Sequence, residues 1–332
     1  MVVIVKIPLN KTMKTTVQKI LLGAACLVAL GTSSANAAFL VAEGTTAQLY
    51  SSSGTSLGAF ATGLSTAIGV AEGGGYVFIS DYSAGVNKYS ASGTPLGVVN
   101  SSSGPFAHGP TGLAFSGGRI DTAGFNVNFV MSSGPDFPSP DPQGSEDGNP
   151  ATPISYLYYA SPAGPHGMTS AAPNGFSGVY YTTSNPGDNS GTLSYWDPAV
   201  SALDSIIAFA AGTSPRGVVA DGAGSLYGAL LSTGEIWKRD GAGIVTTWKT
   251  GLNSPIGVAI DGGNLYVSSF TGQSITGYSL ADGSQQSTFS TLGAPQYFIV
   301  TAIPEPSTWA LIGIGLFGAV VFHRCRRRSR GA

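Results

Sequence analysis

The 332-residue chain is long enough for two average domains or one large all-β domain, and 48 Gly and 20 Pro with only 10% charged residues exclude a long-helix architecture. The formal net charge of −2 conceals a division: of 15 Lys and Arg, four lie in the first 37 residues and five in the last nine. The body between Ala38 and Ile303 therefore holds six basic against sixteen acidic residues, and a surface of that sign excludes nucleic-acid binding.

Residues 1–37 read as a secretory signal peptide: lysines, then the apolar run Ile20–Leu30, then Ala35-Asn36-Ala37, a small-x-small cleavage pattern. Met13 begins a more ordinary signal than Met1. Cys26 falls in the apolar run and Cys325 near the C-terminus, so the body, residues 38–302, is expected to contain no disulfide and no thiolate zinc site.

From Phe39 onward the chain repeats itself. The openings are Ala67-Ile68-Gly69-Val70, Pro110-Thr111-Gly112-Leu113, Pro165-His166-Gly167-Met168, Pro215-Arg216-Gly217-Val218, Pro255-Ile256-Gly257-Val258 and Pro295-Gln296-Tyr297-Phe298. Their third positions are 43, 55, 50, 40 and 40 residues apart, a period suited to one four-stranded β-propeller blade. Pro sets the chain direction before the innermost strand, and Gly lets that strand crowd the axis. Asp221-Gly222 and Asp261-Gly262 are expected as hairpin turns into the second strand, and Glu72 is read as a turn residue aligned with them. Leu226-Tyr227 and Leu265-Tyr266 follow as the buried second strand.

Phe39–Leu64 lacks a first strand and Ala294–Val300 supplies only a first strand. Joined, they complete one blade and cover edges that would otherwise be open. The spacing thus predicts an all-β, six-bladed propeller with four-stranded blades, the sixth shared between the ends of the body. Ser132–Pro153 and Asn185–Gly191 are read as solvated loops; the carboxylates of the former fit a calcium loop poorly.

The tail, residues 303–332, begins with Pro304-Glu305-Pro306, continues as the apolar run Trp309–Phe322 and ends in an Arg cluster. These features predict a short transmembrane helix with its positive end cytoplasmic. In order and position they resemble the PEP-CTERM sorting signal of Gram-negative bacteria. That resemblance implies recognition by an exosortase, a membrane-embedded cysteine transpeptidase, transient anchoring in the inner membrane, and delivery to the cell surface or extracellular matrix. The body, through its Pro-x-Gly openings, Asp-Gly turns and Leu-Tyr strands, resembles the NHL-repeat and streptogramin-lyase-like propellers, a superfamily that includes lyases, lactonases and binding modules.

The second residue of each opening is expected to ring one mouth of the channel: Ile68, Thr111, His166, Arg216, Ile256 and Gln296. Of these, Thr111, His166, Arg216 and Gln296 are polar and form the candidate ligand site. His166 could serve as a general base or metal ligand, and Arg216 could hold an anionic group such as the carboxylate of an acidic sugar. The chain shows no Ser nucleophile motif, phosphate loop or His-rich metal motif, and no cofactor is expected. These readings favour a non-catalytic exported module that binds polysaccharide or an envelope protein; a lyase or lactonase at the channel mouth is the alternative.

Overall fold

Short β-prone runs separated by turn residues bury their apolar faces only by stacking sheets on one another, and the chain does this in a closed ring. A computed structural model describes residues 38–101, 109–116, 118–124, 129–133, 155–158, 164–170, 178–197 and 202–301. The signal segment, most of the Ser132–Pro153 loop, His108 and the tail with its expected helix lie outside these residues. Among the described residues there are strands and turns but no helix.

In chain order the strands are β1 (Ala38–Glu43), β2 (Thr46–Tyr50), β3 (Ser56–Ala61), β4 (Ala67–Gly73), β5 (Tyr76–Asp81), β6 (Gly85–Ser90), β7 (Pro95–Ser101), β8 (Pro110–Ser116), β9 (Arg119–Gly124), β10 (Phe129–Ser133), β11 (Ser155–Tyr158) and β12 (Gly164–Ser170). There follow β13 (Val179–Ser184), β14 (Gly191–Asp197), β15 (Ala202–Phe209), β16 (Pro215–Ala220), β17 (Leu226–Leu230), β18 (Glu235–Arg239), β19 (Val245–Lys249), β20 (Pro255–Asp261), β21 (Asn264–Ser269), β22 (Ser274–Ser279), β23 (Gln285–Ser290) and β24 (Pro295–Thr301). They form six four-stranded antiparallel sheets. Blades one to five run β4–β7, β8–β11, β12–β15, β16–β19 and β20–β23; blade six has the order β24-β1-β2-β3, shared between the two ends of the body. Innermost strands β4, β8, β12, β16, β20 and β24 each lie against the next, and β24 returns to β4.

The apolar core is distributed over the seams between blades. One cluster joins Leu40 and Leu49 of blade six to Val70, Val77 and Ile79 of blade one. Others join Val130 to Met168 and Trp196, Leu193 to Val218 and Trp237, and Tyr227 to Val258 and Leu265. At the five-to-six seam Phe39 sits edge-on to Tyr266, with ring centroids 4.8 Å apart, and beside Phe289 and Phe298. Inner strands bury apolar residues against the blades on both sides, while outer strands such as β23 stay largely exposed, and no single central core is needed.

The turns explain the aspartates. Asp221 accepts Ala223 N at 2.9 Å and Ser225 N at 2.7 Å through its side chain, and the positive φ falls on Gly224 rather than on Gly222. After Asp261 the two-residue turn is Gly262-Gly263, both at positive φ, as expected of a hairpin with a type I′ twist. Outer strands β3, β7, β15, β19 and β23 all meet their neighbours through a register shift. Such bulges spoil the flat ladder that an edge would offer to another chain.

Candidate functional site: the propeller channel

All six innermost strands carry the same irregularity. The register shifts between the opening Pro or Ala and the apolar residue three positions on, so the two intervening residues bulge. A Cβ on Gly69 would overlap Thr111 O, and the same holds for Gly112 with His166 O, Gly167 with Arg216 O, Gly217 with Ile256 O and Gly257 with Gln296 O. Gly is required there because each strand presses its backbone on the carbonyl of the next. The glycines thereby draw the strands into a tube.

Hydroxyls fasten the tube. Ser80 Oγ accepts Gly69 N at 2.6 Å and donates to Thr111 O at 2.8 Å. Ser268 accepts Gly257 N and donates to Gln296 O, each at 2.7 Å; Thr182 links Gly167 N to Arg216 O in the same way. Register puts Ala123, Ala229 and Ala42 at the corresponding positions of blades two, four and six. At blade two the loss is made good by Thr111, whose hydroxyl donates to Pro165 O at 3.0 Å. Thr111 is 4% exposed, and its hydroxyl serves the seam between blades two and three rather than facing solvent at the mouth.

His166 and Arg216 come together on adjacent blades. Burial, and then the positive charge of Arg216, hold the His166 imidazole well below its ordinary range. The ring is therefore neutral at physiological pH, and Arg216 supplies the local positive charge. Burial also lowers the Arg216 guanidinium, but a group of this kind stays cationic. Its Nη1 donates to Pro215 O at 3.0 Å, and among the described residues no carboxylate pairs with it. The side chain of Gln296 is half-buried, and its backbone carbonyl receives Ser268. Ile256 is buried and Ile68 half-buried.

Sequence reasoning missed Tyr297. It stands where the other five openings have Gly, and that single exception was the available signal. The side chain lines a cavity of about 250 Å³ in the channel. Its buried hydroxyl has no hydrogen-bond partner among the described residues. Burial raises the phenol's pKa despite the opposing pull of Arg216, so the hydroxyl remains a proton donor. The cavity extends from Tyr297 past Leu113, Val219 and Ala259 to Glu72, Phe115, Ser170 and Ile260.

Glu72 corrects the sequence reading. It is the penultimate residue of β4 and pairs with Val77, whereas Gly73 holds the register position of Asp261. Its exposed carboxylate lines the cavity and accepts the Thr301 hydroxyl. Among the described residues no cluster of His, Cys, Asp and Glu could hold a metal ion.

These features define a six-sheet propeller with a cavity of about 250 Å³ among its innermost strands. Residues 302–328 match the PEP-CTERM protein-sorting motif, directly after the last innermost strand. The protein thus carries the sorting signal of exported, exosortase-recognised envelope proteins. The fold is similar to that in a nidogen/laminin complex, with TM-score 0.66, 16% identity, and coverage of 80% of this chain and 98% of that one. It is also similar to a streptogramin B lyase, with TM-score 0.51 and 15% identity over 68% of this chain and 69% of that one. A virginiamycin B lyase from Staphylococcus aureus gives TM-score 0.51 and 15% identity over 70% and 73%. No curated protein matches the sequence.

Proposed function

We propose that the protein is a non-catalytic binding module held at the cell surface or in the extracellular matrix, and that it takes a polysaccharide or an envelope protein at the channel face bearing His166, Arg216 and Gln296. On this reading residues 1–37 are removed on export, residues 38–302 are the binding domain and residues 303–332 are processed near Pro304-Glu305-Pro306. The observation that carries it is Arg216: a half-buried cation at the start of an innermost strand, without a carboxylate partner among the described residues, in a body otherwise rich in acid. Enclosing a charge without a counterion is costly unless an anionic ligand compensates it. Exopolysaccharide from the producing cell should be retained by the immobilised full chain and lost from Arg216→Met. Equal retention by both proteins would remove the basis of the proposal.

The adjacency of His166 and Arg216 favours a second reading, lyase or lactonase chemistry with His166 as base. It predicts turnover abolished by His166→Ala; turnover that survives this change rules it out.

A further inference from the structure

The two ends of the body leave the propeller side by side. Ala38, the first residue of β1, pairs with Thr301, the last residue of β24, in an antiparallel register. Because β24 is the innermost strand of blade six, the tail departs close to the propeller axis rather than from its rim. The Thr301 hydroxyl donates to the Glu72 carboxylate near the end of β4, which fastens the departure point to the neighbouring blade.

The innermost strands all run the same way. Gly167 lies against Arg216 O and Gly257 against Gln296 O, so equivalent early positions stand side by side around the axis. His166, Arg216 and Gln296 are therefore at the starting end of these strands, and Glu72 and Thr301 at the finishing end. The candidate ligand mouth and the tail lie on opposite faces.

Chain length then fixes an orientation. Seven residues, 302–308, separate β24 from the apolar run 309–322, and seven residues reach at most about 25 Å. The run has nothing to spare for the tether, since its 14 residues rise only about 21 Å as a helix against a hydrocarbon core of ~30 Å. To turn the His166 mouth toward the bilayer, the tether would have to clear three strand spacings of ~4.8 Å, about 14 Å, and then climb the length of β24, about 20 Å. It is too short for that path. The channel offers no shortcut: its cavity of about 250 Å³ is smaller than one drug-sized ligand requires, so a segment of several residues does not thread it.

We infer that, in the membrane-tethered precursor, the propeller presents its chain-end face, with Ala38, Glu72 and Thr301, to the lipid surface and turns the mouth bearing His166, Arg216 and Gln296 away from it. Only Ala302 and Ile303 lie between β24 and Pro304-Glu305-Pro306, so an enzyme that processes the tail there must reach in beneath this face. The opposite mouth is open to a ligand before processing. Neither consequence depends on what that mouth binds.

The test measures the height of two labels above a membrane. Ala223 and Ser232 are exposed turn residues at opposite ends of β17, the former on the chain-end face, and about 17 Å of strand separates them. Each is changed to Cys in the full chain carrying Cys26→Ser and Cys325→Ser, reconstituted into vesicles of phosphatidylethanolamine and phosphatidylglycerol with an acceptor-labelled lipid. An impermeant maleimide donor then marks only the outward-facing bodies, and energy transfer gives the heights. The Ala223→Cys label should lie about 9–17 Å closer to the lipid than the Ser232→Cys label. Inserting about 12 Gly and Ser residues after Thr301 extends the tether's reach to about 65 Å, enough for either face to meet the membrane, and should at least halve that difference. Equal heights, a Ser232→Cys label closer to the lipid, a difference that the longer tether leaves unchanged, or a full chain that does not stay with the vesicles overturns the inference. The binding-module reading stands or falls separately, on retention of exopolysaccharide.

Discussion

Tyr50 holds the blade in which the two ends of the body meet, and Tyr50→Phe tests how far that closure depends on polar contacts. Tyr50 is 1% exposed. Its hydroxyl donates to Glu43 Oε1 at 2.7 Å and accepts Leu292 N at 2.7 Å. Glu43 Oε2 in turn accepts Gly293 N at 2.9 Å, so two residues of blade six hold the loop that delivers β24. Removing the hydroxyl leaves the ring packing beside Phe289 intact but strands a backbone donor and takes one partner from a buried carboxylate. With about 1 kcal/mol for a neutral hydrogen bond and roughly 1.5–3 for one to a charged group, the loss should be about 3 kcal/mol. For a domain of this size that corresponds to a fall in thermal midpoint of roughly 6–12 °C. Calorimetry of Tyr50→Phe, Glu43→Gln and the double variant measures both the loss and the coupling, expected at about 1 kcal/mol or more. A Tyr50→Phe midpoint within about 2 °C of the parent, or additive variants, refutes the idea that this network holds the closure.

Glu43 and Asp81 hold corresponding loops but should respond oppositely to pH. Burial raises the Glu43 pKa above its ordinary 4.5, against the Tyr50 and Gly293 hydrogen bonds, so its contribution is complete below that value and lost as pH rises through the folded pKa. Burial would raise Asp81 too, but bonds from Ser65, Ser83 and Thr66 prevail and lower it below 3.8, so its contribution is present above that value and lost as pH falls. In urea titrations the deficit of Asp81→Asn should therefore be larger at about pH 7 than at about pH 3, and that of Glu43→Gln larger at about pH 4 than at about pH 7; the reverse order contradicts the assignment. Gly257→Ala should cost about 1–3 kcal/mol by overpacking, because its Cβ would lie 2.6 Å from Gln296 O and 3.0 Å from Ser268 Oγ, whereas Gly251→Ala meets no atom within 4 Å and pays only for its positive φ. Equal urea midpoints for Gly257→Ala and the parent would show that the tube is not close-packed at this level.

The openings were legible because their signal is local. Pro, one variable residue, Gly and an apolar residue specify where an innermost strand starts, and the bulge observed there six times is a property of those few positions. Thr111 was not legible as a seam residue: its hydroxyl is needed between blades because Ala123 stands where Ser80, Thr182 and Ser268 stand elsewhere, a fact of register rather than of neighbours in sequence. Glu72 was misaligned for the same reason, since Gly73-Gly74-Gly75 permits more than one turn until the pairing with Val77 settles it. Asp81 and Glu43 carry no local signal of their role, yet each receives amides of the loop that delivers the innermost strand of its own blade.

By itself the sequence determined the repeat, the strand-rich class, the shared blade and the sorting motif, because turn residues, apolar alternation and terminal motifs act over a few positions. Only the tertiary structure decided what the channel contains. Tyr297 and Glu72 belong to different blades, and the ring of strands brings both to the wall of one cavity. The contacts that close the ring join residues as far apart as Glu43 and Gly293, 250 positions along the chain, so they depend on the ring having formed.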